Sequence, residues 1–173
     1  RRQMKLKGKR LWSSPLADLL VLLLLFSYTP TAAAQAPGTF TSTADMTSHR
    51  SYGHTATLLL NGKVLLTGGS KERPASAELF DPATNTFTRT GNMTTGRFGN
   101  SATLLPDGRV LIAGGSYFGY LDSAELYDPA TGTFTPTGNM LAPQHYGHRA
   151  VLLNNGKVLI AGGGKGCPNL NDG

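Results

Sequence analysis

Two histidines and a cysteine near the end of the sequence are residue types that bind transition metals. His145 and His148 are three positions apart, and Cys167 is the only cysteine of the chain. Imidazole and thiolate are both common metal ligands. However, the histidines precede a segment that reads as a β-strand, where side chains three positions apart tend to point to opposite faces. The pattern therefore favours a structural role for His148 over a shared metal site.

Two glutamates could in principle form an acid–base pair, but they recur at one spacing. Glu78 and Glu125 occupy the same place in two copies of a repeated stretch. Glycoside hydrolysis needs two carboxylates that face each other across the bond, and such periodicity does not suggest this. We expect each glutamate to make a structural contact, for example with a repeated arginine such as Arg97. Since the GxSxG pattern of a serine nucleophile is also missing, the sequence identifies no catalytic residue and does not favour an enzyme.

The segment Tyr117-Phe118-Gly119-Tyr120 differs most from the corresponding positions of the other repeats. It lies in a predicted loop, where the preceding copy of the repeat has only polar and small residues. The aromatic side chains of Tyr117, Phe118 and Tyr120 suit stacking on a sugar or contact with a protein. Packing against the neighbouring repeat is the favoured interpretation, and ligand binding is the alternative.

These residues are positioned by a repeat of about 47 residues. Residues 77–93 and 124–140 are identical at 14 of 17 positions, and Met46, Met93 and Met140 are 47 residues apart. A period of 40–50 residues with strand-like content predicts the blades of a propeller rather than a helical solenoid.

Each unit reads as four β-strands. The first strand, residues 53–60, ends at Asn61-Gly62, for which we predict a two-residue type I′ turn. The second strand is apolar without interruption, as expected where both faces of a sheet are covered. The third strand leads into an Asp-Pro turn in which Asn85 can adopt the left-handed conformation, as Gly132 can in the next unit, and the fourth strand starts at Phe87.

Further repeated positions are predicted to be structural. A double glycine after each second strand permits a bulge or the close approach of another backbone. A phosphate-binding loop is not expected there, because no Gly-Lys-Ser/Thr pattern follows. One polar position before each first strand is predicted to form structural hydrogen bonds. The residues concerned are Gly68, Gly69, Gly114, Gly115, Gly162 and Gly163 among the glycines, and His54, Asn100 and His148 at the polar position.

Residues 1–34 have the pattern of a secretory signal peptide. A basic head precedes the eight-residue apolar stretch 19–26, and small residues at Ala32 and Ala34 indicate cleavage before Gln35. The apolar stretch is much shorter than the roughly 18–20 residues that span a bilayer. We therefore expect a secreted, periplasmic or cell-surface protein, and a membrane contact only if this segment stays uncleaved.

The positive charge of the chain is concentrated in this leader. Residues 1–34 hold six basic residues and one acidic residue, a net charge of +5, whereas residues 35–173 hold ten basic and nine acidic residues, a net charge of +1. A nearly neutral folded part does not suit nucleic-acid binding, which needs a basic surface. With one cysteine, the sequence cannot form an intrachain disulfide.

The segments "YGHTATLLLNGKVLLTGG" and "SAELYDPATGTF" resemble the kelch repeat. The resemblance covers residues 38–164, and Phe87 and Phe134 stand where the kelch family usually has tryptophan. It implies an all-β kelch-type β-propeller with about three four-stranded blades, the last incomplete. The implied segments are a lone fourth strand of a closing blade at 35–45, repeats at 46–92 and 93–139, and a partial repeat at 140–173.

The resemblance also sets expectations for function. Kelch propellers have six or seven blades, about 280–330 residues at this period, so the sequence is interpreted as a fragment. Self-assembly of copies is the alternative if the chain is complete. The implied function is a scaffold that binds a protein or carbohydrate ligand without a cofactor.

An alternative is a fragment of a copper–radical oxidase that resembles galactose oxidase, with copper as the cofactor and most catalytic residues in further blades. Five residues have suitable side chains but do not match that family's motifs position by position. They are Tyr120, His145, Tyr146, His148 and Cys167.

Overall fold

The computed structural model describes residues 38, 40–141 and 147–163. The chain forms two compact units, residues 1–41 and 42–173, and all strands of the described part lie in the second. No helix of the described part is long and apolar enough to cross a membrane. The predicted signal peptide at 1–34 lies outside the described residues. The strands are β1 (Thr55–Leu58), β2 (Val64–Thr67), β3 (Ala77–Asp81), β4 (Thr86–Arg89), β5 (Ser101–Leu104), β6 (Val110–Ala113), β7 (Ala124–Asp128), β8 (Thr133–Pro136), β9 (Arg149–Leu152) and β10 (Val158–Ala161).

The strands form antiparallel sheets that follow the repeat. Strands β1–β4 pair in sequence order and make up blade 1, strands β5–β8 pair in the same way as blade 2, and β9 and β10 form a hairpin of blade 3. The predicted all-β fold of four-stranded units is confirmed, although each strand is shorter than its predicted segment. Residues 40–46 carry no strand. The closing strand predicted at 35–45 falls partly outside the described residues and stays a prediction.

The hairpin that joins the first two strands of each blade differs from the prediction. A type I′ turn needs positive φ at both Asn61 and Gly62, but only Gly62 has it, with φ of +81°. The loop has three residues, because the amide of Leu59 donates to the carbonyl of Lys63 and the amide of Gly62 donates back to Leu59. Asn61 keeps negative φ, and its Oδ1 accepts the Lys63 amide at 3.1 Å. The predicted turn type is therefore wrong, and the glycine forms a bulge instead.

The turn between the third and fourth strands agrees with the sequence. Asn85 has φ of +53° and Gly132 has φ of +68°. The Asp81 carboxylate accepts the Ala83 amide at 2.9 Å and lies 3.2 Å from the ammonium of Lys63. The Ala83 hydrogen bond, followed by the Lys63 contact, lowers the pKa of Asp81 below its ordinary value. The aspartate thus holds the turn as an acceptor for its own backbone.

The apolar core lies between blade 1 and blade 2. Leu65 and Ala77 of blade 1 pack in one cluster with Val110, Ile112 and Tyr127 of blade 2. All five side chains are almost fully buried. The second strands of both blades contribute most to this burial, since three of the four residues in β2 and in β6 are buried.

Blades 1 and 2 are joined at both edges of their sheets. Near the first strands, which contact each other from blade to blade, the amide of Gly99 donates to the carbonyl of Gly53 at 2.8 Å. Beyond β4, at the other edge, the amide of Gly91 donates to the carbonyl of Gly132 at 3.0 Å. The hydroxyls of Thr90 and Tyr127 form a second bond at that edge, 2.9 Å long.

Candidate functional site

The two repeated glutamates lie in buried ion pairs. In blade 2, Nε of Arg97 donates to Oε1 of Glu125 at 2.9 Å, and both side chains are almost inaccessible to solvent. The other guanidinium nitrogens donate to the carbonyls of Gly114 and Ser123 and to the Ser123 hydroxyl. The second carboxylate oxygen accepts the amide of Thr94 at 2.7 Å. Every side of the pair is thus occupied by protein groups.

Blade 1 repeats this arrangement. Arg50 donates to Glu78 at 2.9 Å, to the carbonyls of Gly68 and Ser76, and to the Ser76 hydroxyl. The amide of Thr47 donates to the second oxygen of Glu78 at 2.6 Å. In both blades the arginine precedes its glutamate by 28 residues. The expected contact between Glu125 and Arg97 is therefore present, and each pair ties the entry segment of a blade to its third strand.

The double glycines of blades 1 and 2 include positions where another backbone comes close. All six glycines have positive φ. A Cβ on Gly69 would lie 2.8 Å from both the His54 amide nitrogen and the Tyr52 carbonyl oxygen. A Cβ on Gly115 would lie 2.7 Å from the Phe98 carbonyl oxygen. These positions therefore have a conformational and a steric reason for glycine.

The repeated polar position differs between the blades. Nδ2 of Asn100 donates weakly to the hydroxyls of Thr55 and Thr67 in blade 1, at 3.4 and 3.3 Å. His148 is buried, and its carbonyl accepts a hydrogen bond from Arg149. His54 is exposed. The inferred structural role thus fits Asn100 best, because its side chain links two blades.

An aromatic depression of about 680 Å³ opens at the junction of blades 1 and 2. Its wall on the blade 1 side consists of Tyr52, which precedes β1, and Lys71, which follows β2. On the blade 2 side it consists of Phe98, which precedes β5, and the loop 116–120, which follows β6. Because β1 and β2 are antiparallel, the start of one and the end of the other lie at the same end of the blade. The depression thus collects the loops from one end of both blades.

The rings of the aromatic depression form a continuous row. Tyr52 and Phe98 are stacked, with centroids 5.4 Å apart and planes at 18°. Phe98 contacts Tyr117 at 6.2 Å, and Tyr117 contacts Phe118 at 4.2 Å with tilted planes. Within the row Phe98 is buried and Phe118 is 96% exposed, while Tyr52 and the nearby Tyr120 are about half exposed, at 49% and 48%. The row therefore presents aromatic surface to solvent on a buried support.

The loop that carries these rings is held by backbone hydrogen bonds. Phe98 and Ser116 exchange two amide–carbonyl bonds of 2.9 Å, and the amide of Leu121 donates to Gly115 at the same distance. Tyr117, Phe118 and Tyr120, which the sequence singled out, are thus together in one loop on one side of the aromatic depression. Tyr117 does pack against Phe98 of its own blade, but Phe118 packs only against Tyr117 among the rings of the described residues.

Phe118 combines exposure with an unfavourable backbone conformation. Its φ is +53°, which costs an L-residue roughly 1–2 kcal/mol, and strain of this kind clusters at functional sites. Asparagine tolerates this conformation but alanine does not. We expect Phe118→Asn to exceed Phe118→Ala in free energy of unfolding by about 1 kcal/mol, measured by urea denaturation. Both variants lose the ring, so equal stability would show that the backbone conformation of Phe118 stores no strain.

Sequence reasoning missed three residues of the aromatic depression: Tyr52, Phe98 and Lys71. A signal for the first two exists, since an aromatic residue precedes a glycine at Tyr52-Gly53 and again at Phe98-Gly99. Lys71 has no such signal, because its place depends on the end of β2 and on the neighbouring blade.

The copper site of the oxidase alternative would need a cluster of metal-binding side chains. Within residues 38, 40–141 and 147–163, no three His, Cys, Asp or Glu side chains lie close enough to hold a metal ion. His145, Tyr146 and Cys167 lie outside the described residues. Tyr120 lines the aromatic depression, while His148 precedes β9 of blade 3. Among the five candidates, the structure thus describes only Tyr120 and His148, and it places them in different blades.

Comparison with known proteins supports the blade assignment. A family model described as the Kelch motif matches residues 97–141, which contain all of blade 2. No curated protein matches the chain. A solved structure of a novel fungal alcohol oxidase from the AA5 family, in complex with copper, is similar with a TM-score of 0.61 and 26% sequence identity.

That similarity covers 71% of this chain but only 29% of the oxidase chain, so this chain spans less than a third of that protein. The aligned portion and the matched motif agree with the succession of four-stranded antiparallel sheets seen here. Residues 97–141 thus match the Kelch motif, and the four-stranded antiparallel sheets of the described residues are of the kelch-repeat β-propeller type.

Proposed function

We propose that this chain is part of an exported binding scaffold and that the aromatic depression binds a saccharide. The row of exposed rings on a buried aromatic support carries this proposal. Monomeric proteins seldom expose contiguous apolar surface without an interaction to serve. Tyrosine offers an apolar face and a hydroxyl together, which suits the mixed surface of a sugar. A volume of about 680 Å³ lies within the range of roughly 300–1,000 Å³ for small-ligand sites.

The position of the aromatic depression supports a binding role as well. Its residues lie in loops at one end of two packed blades, and such loops can vary while the sheets keep their places. A protein ligand would need a larger surface, since stable protein interfaces bury about 800 Å² on each partner. We therefore favour a saccharide over a protein partner. Export rests on the leader sequence alone and remains part of this proposal.

A copper-dependent oxidase is the second candidate, because the solved alcohol oxidase that aligns with this chain was in complex with copper. Under that hypothesis copper would supply the redox chemistry. The residues that hold it would have to include some outside the described part, since the described residues do not group as metal ligands. Elemental analysis of the purified full chain after incubation with copper would support this candidate if one tightly bound copper per chain were found.

The saccharide proposal is tested by removing two rings. Isothermal titration against a panel of neutral and acidic oligosaccharides should identify a ligand, and Tyr117→Ala combined with Tyr120→Ala should weaken its Kd at least tenfold. A tenfold loss is about 1.4 kcal/mol, a modest effect for two aromatic contacts at a binding site. Circular dichroism should show that the β-sheet content is unchanged.

A matched control removes exposed apolar surface elsewhere. Leu60 is 74% exposed and lies in the β1–β2 hairpin, at the opposite end of the strands from the aromatic depression. Leu60→Ala should leave saccharide affinity unchanged. If the double tyrosine variant kept full affinity, or if no saccharide bound while a protein did, the saccharide proposal would be wrong.

A further inference from the structure

We infer that the saccharide of the aromatic depression is acidic and carries its charge as the carboxylate of a uronic acid. This inference rests on the proposed function and names the ligand class. Among the described residues that line the aromatic depression, Lys71 is the only one with a charged side chain, and none carries a carboxylate. The local charge is therefore positive, although residues 35–173 as a whole are nearly neutral.

The ammonium of Lys71 has no carboxylate partner among the described residues. Within the described residues, four ion pairs are formed, such as those of Lys63 with Asp81 and of Arg109 with Asp107. Lys71 takes part in none of them. Glu72, the next residue, lines a separate shallow depression together with Lys71, His49 and Ser51 and is not part of the aromatic wall. A bound anion would thus supply the negative partner that the Lys71 ammonium lacks among the described residues.

The geometry of the walls favours a sugar with one charge at its edge. Tyr117, Phe118 and Tyr120 stand on the blade 2 side, while Lys71 stands on the blade 1 side. A sugar ring that stacks on the aromatic loop would occupy the space between that loop and Lys71, where a carboxylate at the edge of the ring can pair with the lysine. A single ammonium matches one carboxylate per sugar. Densely sulfated chains would call for a cluster of cations instead, and the walls hold only one.

The test compares uronate oligosaccharides with their own neutral forms. Trimers of galacturonic, glucuronic and mannuronic acid are titrated into the full chain beside the same trimers after reduction of their carboxyl groups. We expect at least one uronate trimer to bind about three- to fivefold more tightly than its reduced form, the effect of an exposed ion pair. This preference should shrink as the salt concentration rises from 20 to 300 mM.

Two variants test whether Lys71 causes the preference for the uronate trimer over its reduced form. Lys71→Gln should remove the preference for the uronate, so that the uronate trimer and its reduced form bind with equal affinity. Glu72→Gln changes a charge at the neighbouring position and should preserve the preference. If wild type bound both forms equally while the double tyrosine variant bound neither, saccharide binding would stand and the acidic ligand would be refuted. Tighter binding of a sulfated trimer would refute the carboxylate, and failure of every saccharide would refute the proposed function itself.

Discussion

Replacement of Arg97 by alanine is expected to lower the free energy of unfolding by about 3–5 kcal/mol, the usual cost of breaking a buried ion pair from one side. Glu125 would remain inaccessible to solvent with its charge uncompensated. The carbonyls of Gly114 and Ser123 would also lose their hydrogen-bond donor. Because domains are stable by only about 5–15 kcal/mol, this loss would be a large fraction of the total stability. Urea denaturation of the full chain, followed by circular dichroism, measures the loss.

An exposed ion pair provides the control for this experiment. Arg109 lies 2.7 Å from Asp107 in the β5–β6 hairpin, and both side chains are about half exposed. Arg109→Ala should hardly move the denaturation midpoint, because solvent and salt screen such a pair. The double variant Arg97→Met with Glu125→Leu should recover much of the stability lost in Arg97→Ala, since it removes both buried charges. If Arg97→Ala proved as mild as Arg109→Ala, the buried pair would have no role in holding the blade together.

The second large effect is expected from Gly69→Ala. Gly69 has φ of +76°, and a Cβ would lie 2.8 Å from backbone atoms of both Tyr52 and His54. The left-handed conformation alone costs about 1–2 kcal/mol for alanine. Relieving two backbone contacts requires the strand entry to shift, as in overpacked cores, at a further cost of about 1–3 kcal/mol. We expect a total destabilisation of about 2–5 kcal/mol, together with weaker saccharide binding because Tyr52 would move.

The variant Gly62→Ala separates the conformational cost of an added Cβ from its steric cost. Gly62 has nearly the same φ, +81°, but a Cβ there meets no atom within 4 Å. It should therefore cost only the conformational term of about 1–2 kcal/mol and leave binding unchanged. Equal destabilisation by the two variants would contradict a steric role for the double glycine.

The repeat made most of this fold predictable from sequence. Each blade repeats one hairpin pattern, so Asn85 and Gly132 could be placed in the same turn, where both have positive φ. The type of the Asn61-Gly62 turn could not be predicted, because that dipeptide suits both a two-residue loop and a three-residue loop with a bulge. Pairing of Leu59 with Lys63 decides between them, and this register depends on the whole sheet.

The candidate site was only half predictable for a similar reason. Tyr117, Phe118 and Tyr120 are neighbours in sequence, so a local reading could find them. Tyr52 and Lys71 reach the same aromatic depression from blade 1, and no local pattern states which loops of adjacent blades will meet. The pairing of Arg97 with Glu125 across 28 residues became visible only because the repeat carries it twice.

The double attachment between blades 1 and 2 has a consequence for ligand recognition. Backbone hydrogen bonds at Gly53–Gly99 and at Gly91–Gly132 connect the two blades at both edges of their sheets. Two such connections oppose rotation of one blade against the other. The hydrogen bonds that set the spacing of Tyr52 on one blade and the loop 116–120 on the other are therefore formed without a ligand. Recognition would then follow lock-and-key behaviour: ligands are selected by width, no conformational step slows association, and the protein itself loses little entropy on binding.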